Sequence, residues 1–222
     1  MNGFYRFARA VVGSIYRLGG ARIIGRENIP QDPSLLIICN HVSFGDPPAL
    51  AMAFPRQITF IAKEGFAQNP LTRWLFSALG AVFLKKEESD LGAMRVTMNA
   101  LRGGNVVAIF PEGMRRFNQE LGEFKQGASY IAQRSHVRVL PVAVLNTGDI
   151  FRFWKRNVLV LIGEAIDPPQ GEKPDKELLA KNTALYRERV AELVEQGKAQ
   201  LAREGRQMRQ PPHGRADASQ KR

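Results

Sequence analysis

Asn40-His41-Val42-Ser43-Phe44-Gly45-Asp46-Pro47 sets a histidine five residues ahead of a carboxylate across a glycine-containing turn, directly after the apolar run Leu35-Leu36-Ile37-Ile38-Cys39. A carboxylate can keep one imidazole nitrogen protonated and stabilise the imidazolium, leaving the other nitrogen to take a proton from a hydroxyl. Such a pair needs no covalent intermediate when the donor group is already activated. Plainer roles exist for both residues. Asp46 ahead of Pro47 also reads as a helix N-cap, and His41 as a hydrogen-bonded core histidine. Cys39 continues the apolar run and reads as packing, and Ser43 as a turn residue, rather than as nucleophiles.

A second cluster, Ile109-Phe110-Pro111-Glu112-Gly113-Met114-Arg115-Arg116, follows the run Asn105-Val106-Val107-Ala108-Ile109. Glycine allows a tight turn, and Arg115 offers a fork of donors suited to phosphate or carboxylate, with Arg116 adding charge. The same residues also make an ordinary Pro-Glu-Gly loop with exposed arginines.

The elements that must position these clusters alternate along the chain. Strands are expected at 35–39, 58–62, 81–84, 105–109, 137–145 and 158–163, and helices at 47–54, 70–79, 89–102, 124–134 and 175–202. Continuous apolar runs suit strands covered on both faces, so the expected fold is α/β, with a largely parallel central sheet flanked by helices. Both clusters then leave strands at the carboxyl edge, where ligands bind in open sheets. Pro141 lacks a backbone donor and is expected at an edge or a bulge.

Of the 222 residues, 44% are hydrophobic and 24% charged, which suits one globular unit and argues against disorder or several membrane spans. A single cysteine excludes an internal disulfide and a Cys-rich zinc site. The usual dinucleotide, P-loop, zinc-protease and nucleophile-elbow motifs are absent, and no metal-ligand cluster or cofactor is expected. The formal charge of +11 divides unevenly. Residues 1–26 carry five arginines and no acid, residues 203–222 six basic and two acidic groups, and residues 27–202 are close to neutral with 21 against 19. Three segments follow: a basic amphipathic membrane-interface segment 1–26, a body 27–202, and a disordered basic tail 203–222.

On a helix, Phe4, Phe7, Val11, Ile15 and Leu18 fall on one stripe, with Arg6, Arg9 and Arg17 opposite. That stripe can lie in a membrane interface or dock on the protein's own core. It is too short and too interrupted by arginine to span a bilayer. Basic ends seek polyanions. Without interleaved aromatics or a reading motif, an anionic membrane surface is the expected partner and nucleic acid is not.

Asn40-His41 with Asp46, then Lys63, Pro70, Gly80 and Lys85-Lys86, then Phe110-Pro111-Glu112-Gly113 with Arg115, then Phe124-Lys125-Gln126-Gly127-Ala128 and Leu140-Pro141-Val142, run in order from about residue 35 to 145. This set resembles the sequence blocks of glycerolipid acyltransferases of the 1-acylglycerol-3-phosphate acyltransferase type. The resemblance implies acyl transfer from acyl-CoA or acyl carrier protein to the hydroxyl of a lysophospholipid, typically lysophosphatidic acid. It implies His41 as general base and Asp46 as its orienting partner. Glu112, Gly113 and Arg115 would shape the acceptor site with Phe110, Arg115 on its phosphate; Lys63 and Lys86 would be secondary phosphate contacts, and Pro141 would line the acyl or acceptor pocket. Met114, Arg116 and Lys85-Lys86 depart from the usual blocks, which leaves other lysolipids or acylated amino acids such as lyso-ornithine lipid open as acceptors. A non-catalytic peripheral lipid-binding module is the competing class. The expected place of work is the cytoplasmic side of a membrane, by peripheral or monotopic association.

Overall fold

The computed structural model describes residues 3–63, 70–78, 80–84, 90–116, 118, 120–148, 157–168, 175–206 and 208. In chain order the elements are α1 (Gly3–Leu18), β1 (Arg22–Ile24), β2 (Leu35–Cys39), α2 (Asp46–Ala53), β3 (Ile58–Lys63), α3 (Pro70–Ala78), β4 (Ala81–Leu84), α4 (Asp90–Arg102), β5 (Val106–Ile109), α5 (Gly127–Ser135), β6 (Val139–Leu145), β7 (Leu159–Ile162) and α6 (Lys176–Arg203). Seven strands form one sheet in the order β1-β7-β6-β2-β5-β3-β4. Each neighbouring pair is parallel except β6 with β7. The α/β architecture is therefore the expected one.

Alternation along the strands sorts the core into two layers. Leu35, Ile37 and Cys39 of β2 join Leu50, Phe54 and Tyr16 on one face. Leu36 and Ile38 join Leu101, Ile131 and Tyr186 on the other. The five residues of β2 are buried throughout, which explains their unbroken apolar run. Helices that carry the chain outward across the sheet lie on the first face, and those that return it lie on the second, as right-handed crossovers require. Consequently β2 and β5 are parallel neighbours whose following helices depart to opposite faces, which opens a crevice at their carboxyl ends.

Two strand expectations need correction. Arg22–Ile24, placed by sequence in the N-terminal segment, pairs with β7 as an edge strand, being too short to show a period. Pro141 does not sit at a sheet edge, since β6 is paired on both sides. The bulge half of the expectation holds. Between the Val139–Ile166 and Val142–Ile162 pairs, Gly163 to Ala165 stand against only Leu140 and Pro141. The missing donor thus falls where the ladder is already interrupted.

Helix α1 has two apolar stripes. Tyr5, Ala8, Gly13 and Tyr16 are buried, and Gly13 packs against Met52 of α2. Phe4, Phe7, Val11 and Leu18 face outward, 44%, 66%, 43% and 88% exposed, and Phe4 meets the exposed ring of Trp74 edge-on at 5.4 Å. The predicted stripe is thus the outward one apart from half-buried Ile15, and a second stripe does the docking. Among the described residues no helix is long and apolar enough to cross a membrane. Most of the expected tail 203–222 lies outside the described residues.

Candidate active site

Three parallel strands side by side, β6, β2 and β5, deliver the site's loops to one edge. From β2 the chain passes Asn40, whose amide Nδ2 donates to the Val144 carbonyl at 2.9 Å while its Oδ1 accepts the Val144 N–H at 2.8 Å. The side chain therefore stands in for a strand backbone and fixes the start of the loop to β6. His41 follows, strapped by the loop after β5. Its N–H donates to Glu112 Oε1 at 2.8 Å, and its carbonyl accepts the Arg116 N–H at 2.7 Å.

The imidazole Nδ1 lies 2.7 Å from Asp46 Oδ2, and the ring stacks on Phe110 at 3.9 Å between centroids. An ionised carboxylate can only accept, so the contact assigns the proton to Nδ1 and leaves Nε2 as the basic nitrogen. Asp46 is fully buried. Its Oδ2 also accepts the N–H groups of Val42 and Ser43 at 2.8 and 2.9 Å. Its Oδ1 accepts the hydroxyl of Thr147 from beyond β6. Asp46 is the first residue of α2 rather than its cap, and its carboxylate turns back onto the preceding loop instead of capping α2. The N-cap reading of Asp46 therefore gives way: the carboxylate is taken up by His41 and its loop, at a helix N-terminus where negative charge is favoured.

Glu112 faces inward from the loop after β5. Its side chain is buried, with Oε2 accepting the Gly122 N–H at 2.9 Å and Arg116 Nε 3.9 Å away. Burial pushes the Glu112 carboxyl above its usual range, opposed by the N–H groups of His41 and Gly122 and by the charges of His41 and Arg116. Its two oxygens therefore hold loops, and the Arg116 charge is turned toward Glu112. On the far side of the 120–125 loop, Arg187 of α6 donates to the Gly122 carbonyl at 3.1 Å.

Beside His41 opens a largely apolar cavity of about 310 Å³. It is lined on the His41 side by residues of the loops after β2 and β5: His41, Phe44, Phe110, Gly113, Met114 and Arg115. Its walls come from Phe60, Ile61 and Ala62 of β3, Ala81 and Phe83 of β4, Ala93, Met94 and Thr97 of α4, and Ile131 of α5. Buried Thr97 donates its hydroxyl to the Ala93 carbonyl, so its polar group is satisfied within the helix. The Arg115 guanidinium lies over Phe44, 3.7 Å from the ring centroid. Of the residues expected from sequence, His41, Phe110, Gly113 and Arg115 line this cavity. Asp46 and Glu112 lie behind it as supports. Pro141 is not part of its wall and packs instead against Gly163. Lys63 closes β3, with its side chain outside the described residues, and Lys86 lies outside them altogether. Sequence reasoning missed Thr147, whose only signal is being a polar residue just past a buried strand that neighbours β2.

The acyltransferase family model matches residues 20–145. A chloroplast 1-acyl-sn-glycerol-3-phosphate acyltransferase of Arabidopsis thaliana is 34% identical over 66% of this chain and 42% of its own length. The chain likewise spans only 43% of a Brassica napus relative. The 1-acyl-sn-glycerol-3-phosphate acyltransferase of Bacillus subtilis is 29% identical over 85% of this chain and 96% of its own. Among solved structures, the 1-acyl-sn-glycerophosphate acyltransferase PlsC of Thermotoga maritima superposes with a TM-score of 0.63 at 28% identity, covering 87% of this chain and 83% of the other.

Proposed function

Because the chain belongs to the acyltransferase family, we propose that it moves a fatty acyl group from an acyl-CoA or acyl carrier protein thioester to the free hydroxyl of 1-acylglycerol-3-phosphate, giving phosphatidic acid. The observation that carries this reading is His41 lining an apolar cavity with its Nδ1 on buried Asp46. Nε2 takes the proton of the acceptor hydroxyl as its oxygen attacks the thioester carbonyl. The tetrahedral adduct expels the thiolate, and the imidazolium returns the proton to sulfur, so an ester and a thiol leave with no covalent enzyme intermediate. A thioester is already activated, so the protein's main task is alignment of two substrates and one base.

The acyl chain occupies the apolar cavity, whose volume falls in the range of small-molecule sites. Arg115 binds the acceptor's phosphate, with Gly113 turning the chain ahead of it at φ 72° and Lys63 and Lys86 as further cationic contacts. The outward stripe of α1, with Phe4, Phe7, Val11 and Leu18, rests on the cytoplasmic face of an anionic membrane. Its arginines and the basic tail add attraction for acidic lipid.

The test is mass spectrometry of products from a panel of thioester donors and lysolipid acceptors in vesicles, lyso-ornithine lipid included, with His41→Ala alongside. Transfer to 1-acylglycerol-3-phosphate is expected, falling about 10²–10⁴-fold in the variant. Equal turnover by His41→Ala would overturn the mechanism. Acylation of a different acceptor would replace the substrate, and no acylation at all would favour the non-catalytic lipid-binding module.

A further inference from the structure

The family match ends at residue 145, yet the carboxylate that orients His41 receives a hydroxyl from Thr147, two residues beyond it. We propose that Thr147 is a positioning residue that sets the orientation of Asp46 and, through it, the aim of His41. The inference rests on the His41–Asp46 chemistry proposed above.

The hydrogen bonds around Thr147 run in one direction. The Gly45 N–H donates to Ser43 Oγ at 2.9 Å, Ser43 Oγ donates to Thr147 Oγ1 at 3.0 Å with Asp46 Oδ1 as a longer second acceptor at 3.5 Å, and Thr147 Oγ1 donates to Asp46 Oδ1. Each hydroxyl accepts one proton and gives one, and the chain ends on the carboxylate. Oδ1 is thereby held by a donor other than histidine, as Oδ2 is by the N–H groups of Val42 and Ser43, and together they set the plane in which Oδ2 meets the imidazole. Thr147 is 2% exposed and Asp46 fully buried, so without this hydroxyl no water takes its place freely.

The backbone fits the same role. Asn146 adopts the left-handed conformation, at φ 60°, and turns the chain leaving β6 back over the loop. The Thr147 carbonyl then lies 2.3 Å from where a Cβ on Gly45 would stand, which explains why that turn needs glycine. Side chain and main chain of one residue thus fix both Asp46 and the turn that carries it.

The experiment compares Thr147→Val, which removes only the hydroxyl, with Thr147→Ser, which keeps it, in the vesicle assay above. The valine variant is expected to lose about tenfold to a hundredfold in kcat, the scale of one hydrogen bond to a charged group, with KM for donor and acceptor unchanged. The serine variant should recover most of it. The low-field proton signal of the His41 Nδ1–H should move in Thr147→Val and not in Thr147→Ser. Thr147→Ala serves the same comparison if the valine variant does not fold. An active wild type with an unchanged kcat in Thr147→Val, or a serine variant as poor as valine, would overturn the role of Thr147 alone. A wild type inactive on every acceptor would instead overturn the function on which it rests.

Discussion

Glu112→Gln separates a residue that holds a catalytic loop from one that binds substrate. The carboxylate accepts two backbone N–H groups, from His41 at 2.8 Å and Gly122 at 2.9 Å. Glutamine is nearly isosteric but keeps one acceptor and turns a donor toward the other N–H. One buried donor is then unsatisfied, which costs about 1–3 kcal/mol. For a chain of this length each kcal/mol lowers Tm by about 2–4 °C, so a drop of roughly 4–8 °C is expected for a loss near 2 kcal/mol. The catalytic consequence comes through His41: a displacement near 1 Å costs on the order of 100-fold in kcat, while KM for the acceptor stays put because Glu112 does not line the cavity. The pH dependence has a definite sign. Burial raises the folded-state pKa of Glu112, so the folded chain binds that proton over a window just above the usual glutamate range where the unfolded chain does not. That part of the stability is present below the window and lost as pH rises through the folded pKa. The stability gap between wild type and Glu112→Gln should therefore narrow as pH rises, read by urea unfolding across that range. A tenfold rise in acceptor KM at unchanged kcat and Tm would refute the assignment and return Glu112 to the substrate.

Two further outcomes follow from the surfaces. Phe7→Glu with Val11→Glu changes only outward residues of α1, so Tm should hold while affinity for anionic vesicles falls at least about tenfold, since burying one such side chain is worth about 1.5–3 kcal/mol; unchanged sedimentation with vesicles would remove α1 from the membrane contact. Ala93→Phe fills part of the cavity wall, so activity should shift toward shorter acyl donors, and an unaltered chain-length profile would place the acyl chain elsewhere.

The strands were legible because burial on both faces leaves an unbroken apolar run, as in Leu35–Cys39 and Val139–Leu145. Arg22–Ile24 was not, because two half-buried residues followed by exposed Ile24 carry no period, and the pairing that defines them comes from distant β7. Helix α1 shows a related limit. Its outward stripe was readable from hydrophobicity, but the docking stripe uses Tyr5, Ala8, Gly13 and Tyr16, small or hydroxyl-bearing residues that hydropathy ranks low. Tyr16 donates to the Gly45 carbonyl at 2.9 Å, so the polar atom that hides the stripe in sequence is the one that joins α1 to the loop before Asp46. At the site, the spacing of His41 and Asp46 revealed the pair, whereas the partners of Glu112 and Asn40 are backbone groups, which have no residue signature.

That reliance on backbone follows from where the histidine sits. A loop leaving a strand edge is the least constrained part of an α/β fold, yet proton transfer tolerates little error in distance. Contacts to the imidazole alone leave its loop free to move. Here the peptide groups themselves are fixed, the His41 N–H and carbonyl by the loop after β5 and Asn40 by β6. Because β5 and β6 flank β2, each strap runs to a rigid neighbour. The straps also lie outside the cavity, so Ala93 or Thr97 of its lining can change without disturbing the His41 loop. Substitutions in the two shells should therefore read out differently. Asn40→Ala, which orphans the buried Val144 N–H and carbonyl, should lower kcat and Tm together for every donor, whereas cavity substitutions should reorder donors at constant Tm. A donor-dependent effect of Asn40→Ala, measured as the ratio of kcat/KM across chain lengths, would show that the two shells are coupled and that the loop's position is set by the bound chain as well as by the sheet.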